Sequence, residues 1–238
     1  METIKILLVA LLPIVIFAFY IYRRDKSVPE PIEQLLKAFF LGVLSLWLSL
    51  CMSVPFGWIG LYPEEPTTIF GSVRVAFFGA AIPEEIAKFV MLWLVLRKNR
   101  YFNENMDGIV YAVFVSLGFA AVENIMYVVS SDSYMSVGIV RALFAVPGHF
   151  CYGILMGYFI SLASFCPTSS KQNYALALIA PIVAHGLYDA ILMMVDVVPD
   201  IVQLILVILF LAFCYMLWSY ASKKIKKHLK RDGICQTN

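Results

Sequence analysis

The chain has 238 residues, 61% of them hydrophobic and 14% charged, with a mean hydropathy of +0.83 and a formal net charge of +2. That composition excludes an ordinary soluble domain, and the absence of long alternating polar and apolar segments argues against an outer-membrane barrel. The basic residues sit at the ends of apolar runs and in the tail, which gives nucleic-acid binding no support. The expected class is an all-α, polytopic membrane protein forming one domain over 1–238.

Seven spans are expected, near 4–22, 37–58, 69–96, 107–129, 138–165, 174–195 and 199–221. Each approaches or exceeds the roughly 20 apolar residues that cross a bilayer. The first lacks a positively charged start and a small-x-small cleavage site and ends in "YRRDK", so it reads as a retained helix, not a secretory leader. Arg23, Arg24, Lys26 and Lys37 follow span one; Arg97, Lys98 and Arg100 follow span three; Lys171 follows span five. A basic tail, 222–238, follows span seven. The intervening loops "YPEEPTT", "SSDSYMS" and "VDVVPD" are acidic or neutral. Seven crossings put every basic segment on one side, so the N-terminus is expected outside and the C-terminus in the cytoplasm. Cys51, Cys151, Cys166, Cys214 and Cys235 show no metal-type pairing and read as packing residues.

A charged side chain at the bilayer centre costs roughly 2.5–3.5 kcal/mol on insertion scales, so each one inside a span needs a reason. Arg74 and Arg141 fall near outer span ends and can snorkel; Asp107 opens span four and Asp196 closes span six. The deep set is Glu84, Glu85 and Lys88 in span three, Glu123 and Asn124 in span four, His149 in span five, and His185 and Asp189 in span six. At 1.5 Å per residue, His149 lies about 16 Å and His185 about 18 Å into their helices. Four consecutive helices therefore carry polar groups at compatible depths, which predicts one shared interior site within a polar core at 69–195. Either carboxylate of the Glu84-Glu85 pair can reach Lys88 along the helix, and His185 shares a face with Asp189. The two glutamates are about 100° apart around the axis, so one is expected to do chemistry and the other to hold a structural partner.

Pro83, Pro147 and Pro181 lie next to, or one turn before, Glu84, His149 and His185, which suggests an irregular, hydrated cavity. Gly153 and Gly157 continue from His149 at intervals of four, a pattern suited to close helix packing. Carboxylates and imidazoles in a low-dielectric site are what water activation needs. They also approach a hydrolytic metal set, with Glu84, Glu123, His149 and His185 as candidate ligands for one divalent metal such as zinc. The residues alone leave a proton- or ion-coupled transporter open as the rival function, although no inverted repeat is visible.

Four motifs in order carry a resemblance. They are Glu84-Glu85-x-x-Lys88, Phe119-x-x-x-Glu123-Asn124-x-x-Tyr127, His149-x-x-x-Gly153-x-x-x-Gly157 and His185-x-x-x-Asp189. Over about 75–195 the chain resembles the PrsW family of bacterial membrane proteases, itself distantly similar to the prenyl-protein endoproteases and bacteriocin-immunity proteins. It departs from that wider group in placing its basic residue, Lys88, one position earlier and in lacking Phe-x-x-x-His before His149. The resemblance implies a metallopeptidase of the bacterial cytoplasmic membrane. Its implied partner is a membrane-anchored anti-sigma factor, cut at site one so that a sigma factor is released in a stress response. The expected roles are Glu84 as general base, Glu85 as the partner of Lys88, and Glu123 and His149 completing the water or metal site. His185, oriented by Asp189, is expected to stabilise the oxyanion, with Asn124 a supporting contact; exchanged roles for Glu84 and Glu85 remain open. The oligomeric state is not legible.

Overall fold

A computed structural model describes residues 2–25 and 28–235; Lys26 of the first basic loop and residues 236–238 of the tail lie outside this set. Among the described residues every regular element is helical, with no strand. In chain order the helices are α1 (Glu2–Arg24), α2 (Ile32–Trp58), α3 (Ile69–Arg74), a π-helical segment (Val75–Ala81), α4 (Ile82–Leu96), α5 (Asn105–Val129), α6 (Tyr134–Leu143), α7 (Ala145–Phe165), α8 (Ser170–Val195) and α9 (Asp200–Cys235), with a short 3-10 turn at Pro167–Ser169.

Among the described residues, six stretches are long and apolar enough to cross a membrane: Ile4–Arg24, Ile32–Trp58, Asn105–Val129, Tyr134–Phe165, Ser170–Val195 and Asp200–Gly233. The expected third span is instead three pieces in succession, α3, the π segment and α4. Pro83 explains part of this. It has no N–H to return to the carbonyl of Gly79, so the regular ladder is broken where the π segment gives way to α4. The fifth span is also broken, at Phe144 between α6 and α7, three residues before Pro147. Pro181, by contrast, sits inside an unbroken α8.

α5 is the central helix, packed against α7, α2, α1, α4 and α9. Its apolar residues run around the whole circumference because most of the helix is buried against its neighbours. Small residues set its crossings. At the α5–α7 contact a Cβ on Gly157 would lie 2.6 Å from the Ile109 Cα and 2.7 Å from the Gly108 carbonyl carbon. Beside that crossing the Ser161 hydroxyl donates to the Asn105 carbonyl at 2.7 Å, and Ser116 donates to the His149 carbonyl at 2.6 Å. The glycine stripe read from the sequence is therefore what lets α7 lie against α5. Around this core, exposed Leu8, Leu12 and Phe19 of α1, Leu44 and Trp47 of α2, and Leu204, Ile208 and Tyr215 of α9 form an apolar outer belt. The chain is a multi-pass membrane protein.

One end of the bundle gathers the α1–α2 link, the start of α5, the end of α7 and the end of α9, as seven crossings require. The basic tail is not a free extension here. α9 spans 36 residues, about 54 Å at 1.5 Å per residue, and so outruns a bilayer. Its far end caps α5. Asp232 accepts from the Asn105 and Met106 backbone N–H groups at 2.9 and 2.8 Å, a carboxylate on a helix N-terminus. His228 Nε2 lies 3.1 Å from the Tyr158 carbonyl. Asp107, expected only to open span four, completes a capping box with Glu104 and takes the Asn103 and Glu104 N–H groups at 2.8 and 2.6 Å. Nearby, Asp25 and Glu30 of the α1–α2 link are buried, and Glu30 accepts from the Tyr111 hydroxyl.

Two outcomes follow from this packing. Gly157→Ala is expected to cost about 1–3 kcal/mol by overpacking, read as a lower melting temperature in detergent. Burial, then the carboxylates of Asp107, Glu104 and Asp232, push the Asp25 carboxyl up from 3.8 to about 7, and burial pushes Glu30 from 4.5 to about 8. The folded protein thus holds protons on these two groups that the unfolded chain has released, so their contribution to stability is fullest at acid pH and is lost as pH rises towards about 8. Melting temperature should be lower at pH 9 than at pH 5 by a margin that shrinks in Asp25→Asn; an equal margin in both proteins would refute this.

Candidate active site

The π segment and Pro83 start α4 with Glu84 and Glu85 in its first turn and Lys88 one turn on. Lys88 is 1% exposed. Its ammonium lies 2.8 Å from Glu85 Oε1, 3.3 Å from Glu84 Oε2 and 3.1 Å from His149 Nδ1, and 4.0 Å from the Phe119 ring centre. One cation thereby ties α4 to α5 and α7, with an aromatic face as its fourth neighbour. The two glutamates part here. The Glu85 side chain is fully buried and its Oε1 also meets His185 Nδ1 at 2.9 Å, whereas the Glu84 side chain is 14% exposed.

The other helices close around this pair. From α5, Glu123 Oε2 lies 2.8 Å from His149 Nε2 and 2.7 Å from Arg141 Nη2. From α8, His185 Nε2 lies 3.2 Å from Asp189 Oδ2 and 3.9 Å from Glu84 Oε2. The two imidazoles are perpendicular, with centres 5.5 Å apart. A cavity of about 330 Å³ opens onto Glu84, Glu123, His149, His185 and Asp189. All the deep ionisable residues expected to converge do so, and His185 pairs with Asp189 as its spacing predicts.

One expectation is corrected. Arg141 does not snorkel: it donates to Glu123, and at 2.5 Å to Asn124 Oδ1, over the Tyr127 ring at 4.1 Å. Asn124, expected as a supporting contact, braces α1, since its Nδ2 donates to the Ala10 carbonyl at 2.8 Å. Both ring nitrogens of His185, for which an oxyanion role is expected, face carboxylates. Tyr152, not among the expected site residues, lines the cavity with its ring stacked on His185 at 4.7 Å. Its place three residues after His149, on the same helix face, is the signal that was available.

Four carboxylates, Glu84, Glu85, Glu123 and Asp189, face two fixed cations, Lys88 and Arg141. The surplus negative charge suits a further cation. Donor atoms of Glu84, Glu123 and His149 fall within 4.8 Å of one another, as do those of Glu84, Glu85 and His185. Carboxylate oxygens with an imidazole nitrogen fit a divalent metal such as zinc. The expected four-residue ligand set is nevertheless divided, because His185 groups with Glu85 and not with Glu123 and His149.

A family model described as PrsW family intramembrane metalloprotease matches residues 30–217. Protease PrsW of Clostridioides difficile is 33% identical over 236 residues, covering 96% of this chain and 93% of that protein. Protease PrsW of Oceanobacillus iheyensis is 33% identical over 193 residues, with 79% and 83% covered, and that of Bacillus subtilis 32% over 209 residues, with 87% and 88% covered. No solved structure matches the chain.

Lys88→Met should leave Glu85 buried without its cation and lower stability by about 3–5 kcal/mol. Thermal unfolding in detergent checks this, and adding Glu85→Gln to Lys88→Met should recover part of the loss.

Proposed function

Because the chain belongs to the PrsW family of intramembrane metalloproteases, we propose that it is an endopeptidase that cuts a single-pass, membrane-anchored anti-sigma factor, with Glu84 as the base that activates water. The observation that carries this reading is the division of labour inside the glutamate pair. Glu85 is enclosed and held by Lys88 and His185, while Glu84 faces the cavity. A carboxylate in a low-dielectric cavity can take a proton from water as the oxygen attacks a peptide carbonyl. The same group can then return that proton to the leaving amine.

The remaining residues hold Glu84 and the substrate in place. Lys88 fixes Glu84 and Glu85 relative to His149. Glu123, gripped by Arg141, orients His149. Asp189 and Glu85 orient His185 beside Glu84. Such preorganisation keeps reacting groups from relaxing during the step. Glu84, Glu123 and His149 would hold a divalent metal, which when bound would supply Lewis-acid polarisation of water or of the carbonyl. The anti-sigma substrate follows from the motif resemblance, and the embedded site suits a substrate presented by the bilayer.

The test is cleavage of a single-pass anti-sigma substrate in proteoliposomes. Glu84→Gln and His149→Ala should each abolish cleavage, with Glu84→Gln keeping the wild-type melting temperature. Full activity of Glu84→Gln would refute the assignment. Chelation should remove activity together with about one bound metal per chain; undiminished cleavage after chelation would place the whole burden on Glu84.

A further inference from the structure

When water adds to a peptide carbonyl, the carbonyl oxygen gains a negative charge, and a protease site needs a hydrogen-bond donor aimed at that oxygen. Several donors around this cavity are already committed. The ammonium of Lys88 has three N–H bonds and three partners, Glu84, Glu85 and His149. The ring nitrogens of His149 face Glu123 and Lys88, and those of His185 face Glu85 and Asp189. Arg141 gives its Nε to Asn124 and its Nη2 to Glu123.

Tyr152 differs. It is 1% exposed, it lines the same cavity as Glu84, and its hydroxyl has no hydrogen-bond partner among the described residues. An enclosed hydroxyl without a partner costs about 1–3 kcal/mol, and such a group in a functional cavity points to a ligand that completes it. The ring cannot swing freely to find another acceptor. It is stacked on His185 with 16° between planes and stands edge-on to His149 at 5.8 Å and to Tyr188 at 6.3 Å. Gly148 contributes space: a Cβ there would lie 3.2 Å from the hydroxyl.

We infer that the Tyr152 hydroxyl is the oxyanion donor of the site, a catalytic residue that hydrogen-bonds the substrate carbonyl oxygen. The inference rests on Glu84 as the site of water activation. In the addition step the water oxygen bonds to the carbonyl carbon and the water proton passes to Glu84. The carbonyl π pair moves onto oxygen, where the Tyr152 O–H meets it. On collapse that pair re-forms the carbonyl, the C–N bond breaks, and the proton on Glu84 goes to the departing nitrogen. Tyr152 keeps its own proton throughout. Its donor is fixed in place before the reaction by two histidines and a tyrosine, so little reorganisation is needed when charge develops.

Tyr152→Phe tests this without disturbing the ring stack. With the single-pass substrate in proteoliposomes, kcat should fall about 100- to 1000-fold, the loss typical of one oxyanion donor, with KM and melting temperature unchanged. Replacing Tyr152 by 3-fluorotyrosine, which keeps the O–H, should hold kcat within a few fold of wild type. An unchanged kcat in Tyr152→Phe, while Glu84→Gln is inactive, overturns this inference and leaves the base assignment standing. A fall in kcat matched by a fall in melting temperature, or not relieved by 3-fluorotyrosine, also overturns it, because the hydroxyl would then act through structure. A fully active Glu84→Gln removes the premise itself, whatever Tyr152→Phe shows.

Discussion

The ammonium of Lys88 is the interaction on which the rest of the site depends. A cation enclosed between three helices is expensive unless its donors are all answered, and here two carboxylates, an imidazole and an aromatic face answer it. Those partners come from α4, α5 and α7, so satisfying one charge fixes three helices at one depth. Lys88 also divides the glutamate pair. It draws Glu85 into an enclosed network with His185 and leaves Glu84 at the edge of the cavity.

The local backbone serves the same end. The π segment before Ile82 changes the helical register just ahead of the pair, and Pro83 frees a carbonyl at that junction. Phe144 breaks the fifth span so that α6 carries Arg141 back over Glu123 while α7 carries His149 beneath it. Both irregularities flank the cavity, where non-ideal backbone is surrounded by protein and not by lipid. The regular helices α1, α2 and α9 lie outside them as a belt and, through Asn124 and Asp232, as struts.

Much of this is legible in the sequence because it is local or periodic. Hydropathy marks the spans, spacing by three and four marks the Glu84, Glu85 and Lys88 contacts, and His185 meets Asp189 at one helical turn. The motif running from Phe119 to Tyr127 places Phe119 over Lys88, Glu123 on His149 and Tyr127 beneath Arg141, all from one helix. What escapes is non-local. Arg141 sits in a stretch that reads as one apolar span, and only the break at Phe144 turns it inward. Tyr152 looks like any packing aromatic until its hydroxyl is found without a partner. The contact of Asp232 with Asn105 joins residues 127 positions apart, and the tail's basic run hides it.

The central claim is that Lys88 sequesters Glu85 and leaves Glu84 as the reactive carboxylate of the pair. The most direct measurement is modification of the purified protein in liposomes by an apolar carbodiimide, followed by peptide mass spectrometry across residues 80–89. The account predicts adduct on Glu84 with Glu85 spared, and a gain of adduct on Glu85 when Lys88 is replaced by methionine. Adduct on Glu85 with Glu84 spared in the unaltered protein would contradict it.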